Sequence, residues 1–390
     1  MKHPRYLIQT ELLMKFFGLW PLKSDSRSRI KIVADIFRIV LGILFLLFLI
    51  TVGLGFLNVQ SEKEFKINYF LFVFYYCFCV WKMVLCQTKT TRLLIEDIYR
   101  ISEKIMSGEE VELKIIFAKS CKHNFMLFAY LFILSLITQV LFTVSGVKDF
   151  LSEELQNYYR EQNQTLPFKI TAWYPVDTNQ SHAVFYLGQC FLSAVANMYN
   201  ILCESLFLSM FNFATLRIRI LKWSLAHLGD CKKVNLRPKE IIKSLVREHQ
   251  DIIRYVGDLD YLMRWLFFGD FIGKSYHLTI LLFYISEVVM MRDINTESLF
   301  AVACTMFVLS LMFSVYYSVN NIALEALSID AAVYESNWYE QPIDIQRLLL
   351  VVMIRSQRPL ELHIGNLDTV SITTLLKVLK AGYTYVLISR

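Results

Sequence analysis

Ile39–Gln60 reads IVLGILFLLFLITVGLGFLNVQ, 22 residues without one Asp, Glu, Lys or Arg. The hydrocarbon core of a bilayer is about 30 Å thick, and a helix crossing it needs about 20 such residues. A helix on the surface of a soluble domain keeps a polar face, and this run has none. Similar runs recur along the chain. Ile67–Trp81 is 15 residues and continues past Lys82 to Cys86, and Asn124–Val147 is 24. Ala183–Cys203 is 21 and resumes after Glu204 to Leu216, and Ser298–Leu324 is 27. Two further runs are less pure. Trp265–Met291 carries Asp270, Lys274 and Glu287; Ser371–Ser389 is 19 residues and carries Lys377 and Lys380. Together they predict an all-α polytopic membrane protein with seven transmembrane helices. For the last run an amphipathic helix lying in the interface stays open.

The composition agrees. Of 390 residues, 55% are hydrophobic and 19% charged, against about 25% charged in an average soluble domain. A disordered chain, a collagen, a coiled coil and a small disulfide-stapled scaffold are all excluded. The net charge of +6 is not spread evenly, and its distribution sets the topology. Lys and Arg collect in cytoplasmic connections. Residues 1–32 hold seven, 87–123 seven, 214–264 eleven and 325–368 three, which is 28 on one side against six on the other. The amino terminus is therefore expected inside the cell and, after seven spans, the carboxyl terminus outside. The basic balance needs no nucleic acid to explain it. Both N-x-[ST] sequons, Asn163 and Asn179, fall in the third–fourth connection, on the expected outer side, and are candidate glycosylation sites. No cleavable leader is expected; the first apolar run is too long for one.

Catalytic signals are missing. The seven His residues are scattered without metal-ligand spacing, and no Gly-rich phosphate loop or G-x-S-x-G elbow occurs. None of the eight Cys lies in an outer connection, so they read as packing residues or reduced thiols, and the C-x-C of Cys77 and Cys79 lacks ligating neighbours. No enzyme activity, cofactor or metal is expected. Arg38, Lys82 and Lys274 stand near inner span ends. They are expected to snorkel to the interface or pack against inner polar groups, as is Glu204; a proton or ion relay is the sharper alternative.

Three regions point to function. On the inner side, Ile241, Ile242, Leu245, Ile252, Ile253, Val256 and Leu259 recur at helical spacing after Pro238, and 325–357 is similar. Such helices bury their apolar faces only by packing together or on another subunit. Segments 214–266 and 325–368 are read as a cytoplasmic helical anchor, with interfacial helices as the alternative. In the last run, Thr373, Lys377, Lys380 and Thr384 fall at spacings of four, three and four, and Ile388 extends the stripe. A polar stripe inside a bilayer must meet protein or water. One reading of residues 369–390 is a pore-lining helix, since one such helix per subunit makes a polar lumen with an apolar gate; the other is a stripe packed on the protein's own bundle. Near the outer leaflet, Tyr69, Val73 and Tyr76 share one face of the second span. Thr138, Phe142, Gln189, Ser193, Thr305 and Met306 lie at similar depth in the third, fourth and sixth. A cavity lined by these rings and hydroxyls would suit a small apolar ligand; ordinary aromatic packing is the bland reading.

The carboxyl end is more specific. Tyr334-Glu335-Ser336-Asn337-Trp338-Tyr339, then Ser356-Gln357-Arg358-Pro359, then Val378-Leu379-Lys380-Ala381-Gly382-Tyr383-Thr384-Tyr385 resembles the insect odorant receptor family. Gly18-Leu19-Trp20-Pro21 and Trp173-Tyr174-Pro175 also look like it, so the resemblance covers the whole chain, 1–390. It implies an odorant-gated, non-selective cation channel in the plasma membrane of sensory neurons. It further implies a heterotetramer in which a ligand-specific subunit joins the odorant receptor co-receptor. The inner anchor would hold the subunits together, and the final helix would line the pore; aligning Val378 through Tyr385 with the co-receptor's terminal helix puts the apolar gate at Ile388. This chain lacks the co-receptor's long fourth–fifth cytoplasmic insertion, so it resembles a ligand-specific subunit. The co-receptor has small neutral residues where Lys377 and Lys380 stand. Competing readings are a gustatory-type channel of the same topology and a G-protein-coupled receptor, whose amino terminus would face outward.

Overall fold

The structure is a computed structural model; it describes residues 6–21, 29–58, 63–151, 157, 170, 172–174, 182–228, 238–291 and 296–388. Asn163 and Asn179 lie outside the described residues. Each apolar run becomes a helix: α2 (Arg29–Asn58), α3 (Lys63–Cys86), α5 (Val111–Leu151), α6 (His182–Ala226), α7 (Pro238–Met291), α8 (Thr296–Leu327) and α11 (Ile372–Ile388). Shorter helices complete it: α1 (Ile8–Phe16), α4 (Lys89–Ser107), α9 (Ile329–Glu335) and α10 (Ile343–Ser356).

Length decides what leaves the bilayer. α7 has 54 residues, about 81 Å at 1.5 Å per residue, far more than a hydrocarbon core. Its basic first half must stand outside the membrane, and the same holds for the end of α6, with 45 residues. The 214–266 segment is thus no separate loop. It is the continuation of two spanning helices, α6 running on to Ala226 and α7 starting at Pro238, the first-turn position at which proline costs a helix no hydrogen bond.

α6 is the hub. Its spanning stretch is 94% buried, against 24% for α2 and 22% for α5, and it packs on α3, α5, α7 and α8. The exposed side of α2, with Ile39, Ile43, Leu47 and Ile50, suits lipid and would be an aggregation surface in water. Lipid tails are as apolar as leucine, so helices in a bilayer associate through close packing and polar contacts rather than hydrophobic exclusion. Both occur. Gly269 and Gly273, one turn apart on α7, receive the rings of Phe78 and Phe74 from α3, which stack with centroids 4.5 Å apart. A Cβ at either glycine would overlap a ring. Gly273→Val should therefore destabilise the detergent-solubilised protein by ~1–3 kcal/mol through overpacking. Gly257, on the same helix, has open space around it, and Gly257→Ala should gain up to ~1 kcal/mol of helix propensity. Thermal melts of both variants check the contrast; equal shifts would refute it.

α4 is capped by the Thr88 hydroxyl, which accepts from Thr91 N at 3.3 Å. It buries Thr91, Leu94, Ile95, Ile98 and Ser102, one helical stripe. Gly18 ends α1 in the left-handed region at φ 70°, which lets Leu19 N reach Met14 O at 2.7 Å. Glu325 of α8 accepts from Arg219 at 2.7 Å and Lys222 at 2.8 Å, both on α6. Burial alone would raise the Glu325 carboxyl, but these two hydrogen-bonded cations outweigh it and hold the group below its usual range. Between α10 and α11 a two-stranded hairpin, β1 (His363–Ile364) and β2 (Asp368–Thr369), turns through Gly365 at φ 54°. Gly365 N donates to Arg264 O at 2.9 Å, and His363 N to the Asp260 carboxylate at 2.8 Å. The start of the final helix is thereby tied to α7.

Candidate functional site

Three clusters lie along the bundle. The first contains most of the predicted ligand residues. Tyr76 is 2% exposed and meets Phe48 of α2 edge-on, with centroids 5.2 Å apart. Ser193 of α6 donates its hydroxyl to Gln139 Oε1 of α5 at 3.3 Å. Phe142 of α5 is buried and lies 5.7 Å from Phe300 of α8. Val73 is half-buried, and Gln189 is 1% exposed. Two predicted hydroxyls are already used. Thr138 donates to Ser135 O and Thr305 to Ala301 O, both at 2.8 Å. Such back-bonding within a helix leaves mainly the methyl to face a neighbour. Met306 does not join the cluster: it is 52% exposed, on the outward side of α8. Tyr69 lies in α3, and its side chain is not among those described.

Sequence depth alone missed Gln139, Tyr174 and Tyr186. Gln139 directly follows Thr138 and Tyr186 precedes Gln189 by three, so a helical-wheel reading could have included both. Tyr174 could not be found that way, because it arrives from the connection between α5 and α6. Ile170 is 1% exposed, and Trp173 N donates to Thr51 O of α2 at 2.8 Å. The approach needs Gly55, where a Cβ would stand 3.0 Å from Trp173 N, a backbone atom that cannot rotate away.

Deeper in the membrane is a closed ring of charge. Lys82 Nζ of α3 lies 2.7 Å from Glu204 Oε1 of α6 and 3.4 Å from Asp270 of α7. Lys274 Nζ bridges Glu204 at 3.0 Å and Asp270 at 2.7 Å. Asn200 Oδ1 accepts from Lys82 at 3.0 Å. Two cations and two anions cancel, so the bilayer meets no net charge. Of the two expectations for Lys82 and Lys274, packing against polar groups holds rather than snorkelling: each meets carboxylates inside the bundle within 3.4 Å. The Arg38 side chain is not among those described.

The final helix is the third cluster. Thr374, Leu375, Val378 and Gly382 are buried against the bundle, where α11 packs on α7 and α8. Thr373, Lys377, Lys380 and Thr384 are all exposed on the other side. The predicted polar stripe is therefore not packed on its own bundle. Lys377 Nζ pairs with Asp368 at 3.0 Å, and this hydrogen bond holds the Asp368 carboxyl below its usual range. The Ile388 side chain is not among those described. A separate apolar groove of about 600 Å³ runs between α2 and α3 along Phe45, Leu49, Val80 and Met83. It opens on the lipid side and involves none of the predicted ligand residues.

Seven membrane helices, six of them arranged about the buried α6, with a helical region extending from one end, define a multi-pass helical membrane protein. The chain matches the family model described as 7tm Odorant receptor over residues 63–383, and it belongs to the odorant receptor family. It is 28% identical over 218 residues to Odorant receptor 10 of Aedes albopictus, covering 54% of this chain and 56% of that one. It is 26% identical over 230 residues to Odorant receptor Or2 of Anopheles gambiae, covering 56% and 59%. The matches thus span little more than half the length of these relatives. The fold is similar to that of the insect olfactory receptor OR5 from Machilis hrabei, solved with eugenol. The TM-score is 0.81 at 15% identity, covering 99% of this chain and 97% of that one.

Proposed function

We propose that this chain is the ligand-specific subunit of an odorant-gated, non-selective cation channel, working with the odorant receptor co-receptor in a heterotetramer. The observation that carries the channel reading is the exposed stripe of Thr373, Lys377, Lys380 and Thr384 on α11. A polar stripe facing away from its own bundle inside a bilayer requires a water-filled lumen or a partner subunit. The amino terminus is cytoplasmic, the carboxyl terminus extracellular, and the location the plasma membrane of sensory neurons. Asn163 and Asn179 carry glycans on the outer connection. The relatives' names as odorant receptors, and the eugenol bound by OR5, support a small volatile ligand. We place it among Val73, Tyr76, Phe142, Gln189 and Ser193, with Tyr69, Thr138 and Thr305 at the same depth.

Binding opens the pore only if the ligand prefers the open arrangement. In that arrangement the ends of the final helices part and Ile388 leaves the axis. Segments 214–266 and 325–368 stay together as the anchor while this happens. Lys377 and Lys380 weaken this subunit's own share of cation conduction, although the pair with Asp368 offsets one of the two charges.

Current recording from cells expressing the chain with and without the co-receptor, across an odorant panel, tests the reading. Odour-evoked cation current that needs both chains is expected. An outward amino terminus, read with an epitope tag on intact cells, would instead favour a G-protein-coupled receptor.

A further inference from the structure

Gln189 holds the outer connection and has an acceptor to spare. Its Nε2 donates to Ile170 O at 2.9 Å and to Tyr174 Oη at 3.2 Å. A peptide carbonyl can only accept, so the Ile170 contact fixes which end of the amide is nitrogen. Oε1 therefore points the other way, and it is buried with no hydrogen-bond partner among the described residues. Two neighbouring hydroxyls are directed elsewhere. Ser193, one turn further along α6, lies against Gln139 Oε1, and Tyr186 donates to Thr143 O at 2.7 Å. The nearby surroundings are rings: Tyr76, Phe48, and the Tyr174–Phe185 pair at 4.5 Å. A buried carbonyl oxygen left unpaired is costly, and the cost falls on every ligand that cannot donate to it.

We propose that the odorant is an otherwise apolar molecule with one O–H or N–H donor, and that Gln189 Oε1 accepts it beneath the segment of Ile170 and Ala172–Tyr174. This rests on the odorant-receptor reading and sharpens its ligand class. A site built around a hydrogen bond rejects the analogue that lacks the donor more strongly than an apolar pocket rejects a change of one methylene.

The test uses matched pairs on the full chain with the co-receptor: octanol against methyl octyl ether, and cresol against methylanisole. The wild type should respond to the donor member at roughly tenfold lower concentration in at least one pair, the scale of one well-placed hydrogen bond. Gln189→Leu should collapse that ratio towards one. Tyr174→Phe removes a contact to the outer segment but leaves Oε1 in place. It should shift both members of a pair together and keep their ratio. Equal wild-type responses to both members of every pair, or a ratio unchanged in Gln189→Leu, would overturn the proposal while leaving the receptor reading intact. A wild type silent to all four compounds and to a broad odorant panel would overturn both.

Discussion

Glu204→Ala should destabilise the protein by ~3–5 kcal/mol and sharply reduce its delivery to the cell surface. Removing one member of a buried ion pair leaves an uncompensated charge, and that residue of charge, rather than the lost attraction, sets the cost. Here the effect is concentrated, because Glu204 is the shared partner of Lys82 at 2.7 Å and Lys274 at 3.0 Å. Without it, two ammonium groups share Asp270 alone. A partner substitution separates charge from packing. Lys82→Met combined with Glu204→Ala restores neutrality and leaves Lys274 with Asp270, 2.7 Å apart on one helix. The double variant should recover most of what the single one loses, as a coupling energy in a double-mutant cycle. Melting temperature in detergent and surface biotinylation are the measurements. A single variant as stable as the wild type, or a double variant no better than the single one, would sink the account.

Val351→Glu with Ile354→Glu should abolish association with the co-receptor while leaving the protomer folded. α10 has two apolar faces. Ile345, Leu349 and Val352 are buried against its own chain. Val351 and Ile354 are 62% and 64% exposed, and Ile343 and Leu350 extend the same side. An inner helix with a second, bare apolar face is what a subunit interface leaves behind in an isolated protomer. Two carboxylates buried there without partners would cost at least ~3 kcal/mol, roughly a hundredfold in association. Co-purification from detergent reads the association, and the melting curve of the variant alone reads the fold. Undiminished co-purification would remove α10 from the interface.

Much of this architecture is legible one residue at a time. Every apolar run became a helix, Pro238 does begin α7, and the inner apolar periodicity of Ile242, Ile252, Val256 and Leu259 is buried. The final helix shows how far the reading goes. Thr373, Lys377, Lys380 and Thr384 share one stripe by spacing alone, but spacing does not say whether that stripe faces in or out. The outer cluster was legible in depth and not in detail. Thr138 and Thr305 were expected to offer hydroxyls and instead spend them on their own helices. Met306 was expected to face inward and is turned outward, one position around the helix from the buried Thr305. Depth follows from counting residues along a helix; rotation about the helix axis is set by packing against neighbours.

The bilayer explains the division. Its core demands an unbroken apolar stretch of fixed length and its inner surface collects positive charge, and both rules act along the chain, so span number and expected orientation follow from the sequence by itself. Only the tertiary structure could decide which charges meet. Lys82, Glu204, Asp270 and Lys274 come from three helices separated by long connections. Whether a lysine reaches the interface or a carboxylate depends on a few ångströms of relative depth and rotation, quantities that no run of residues contains.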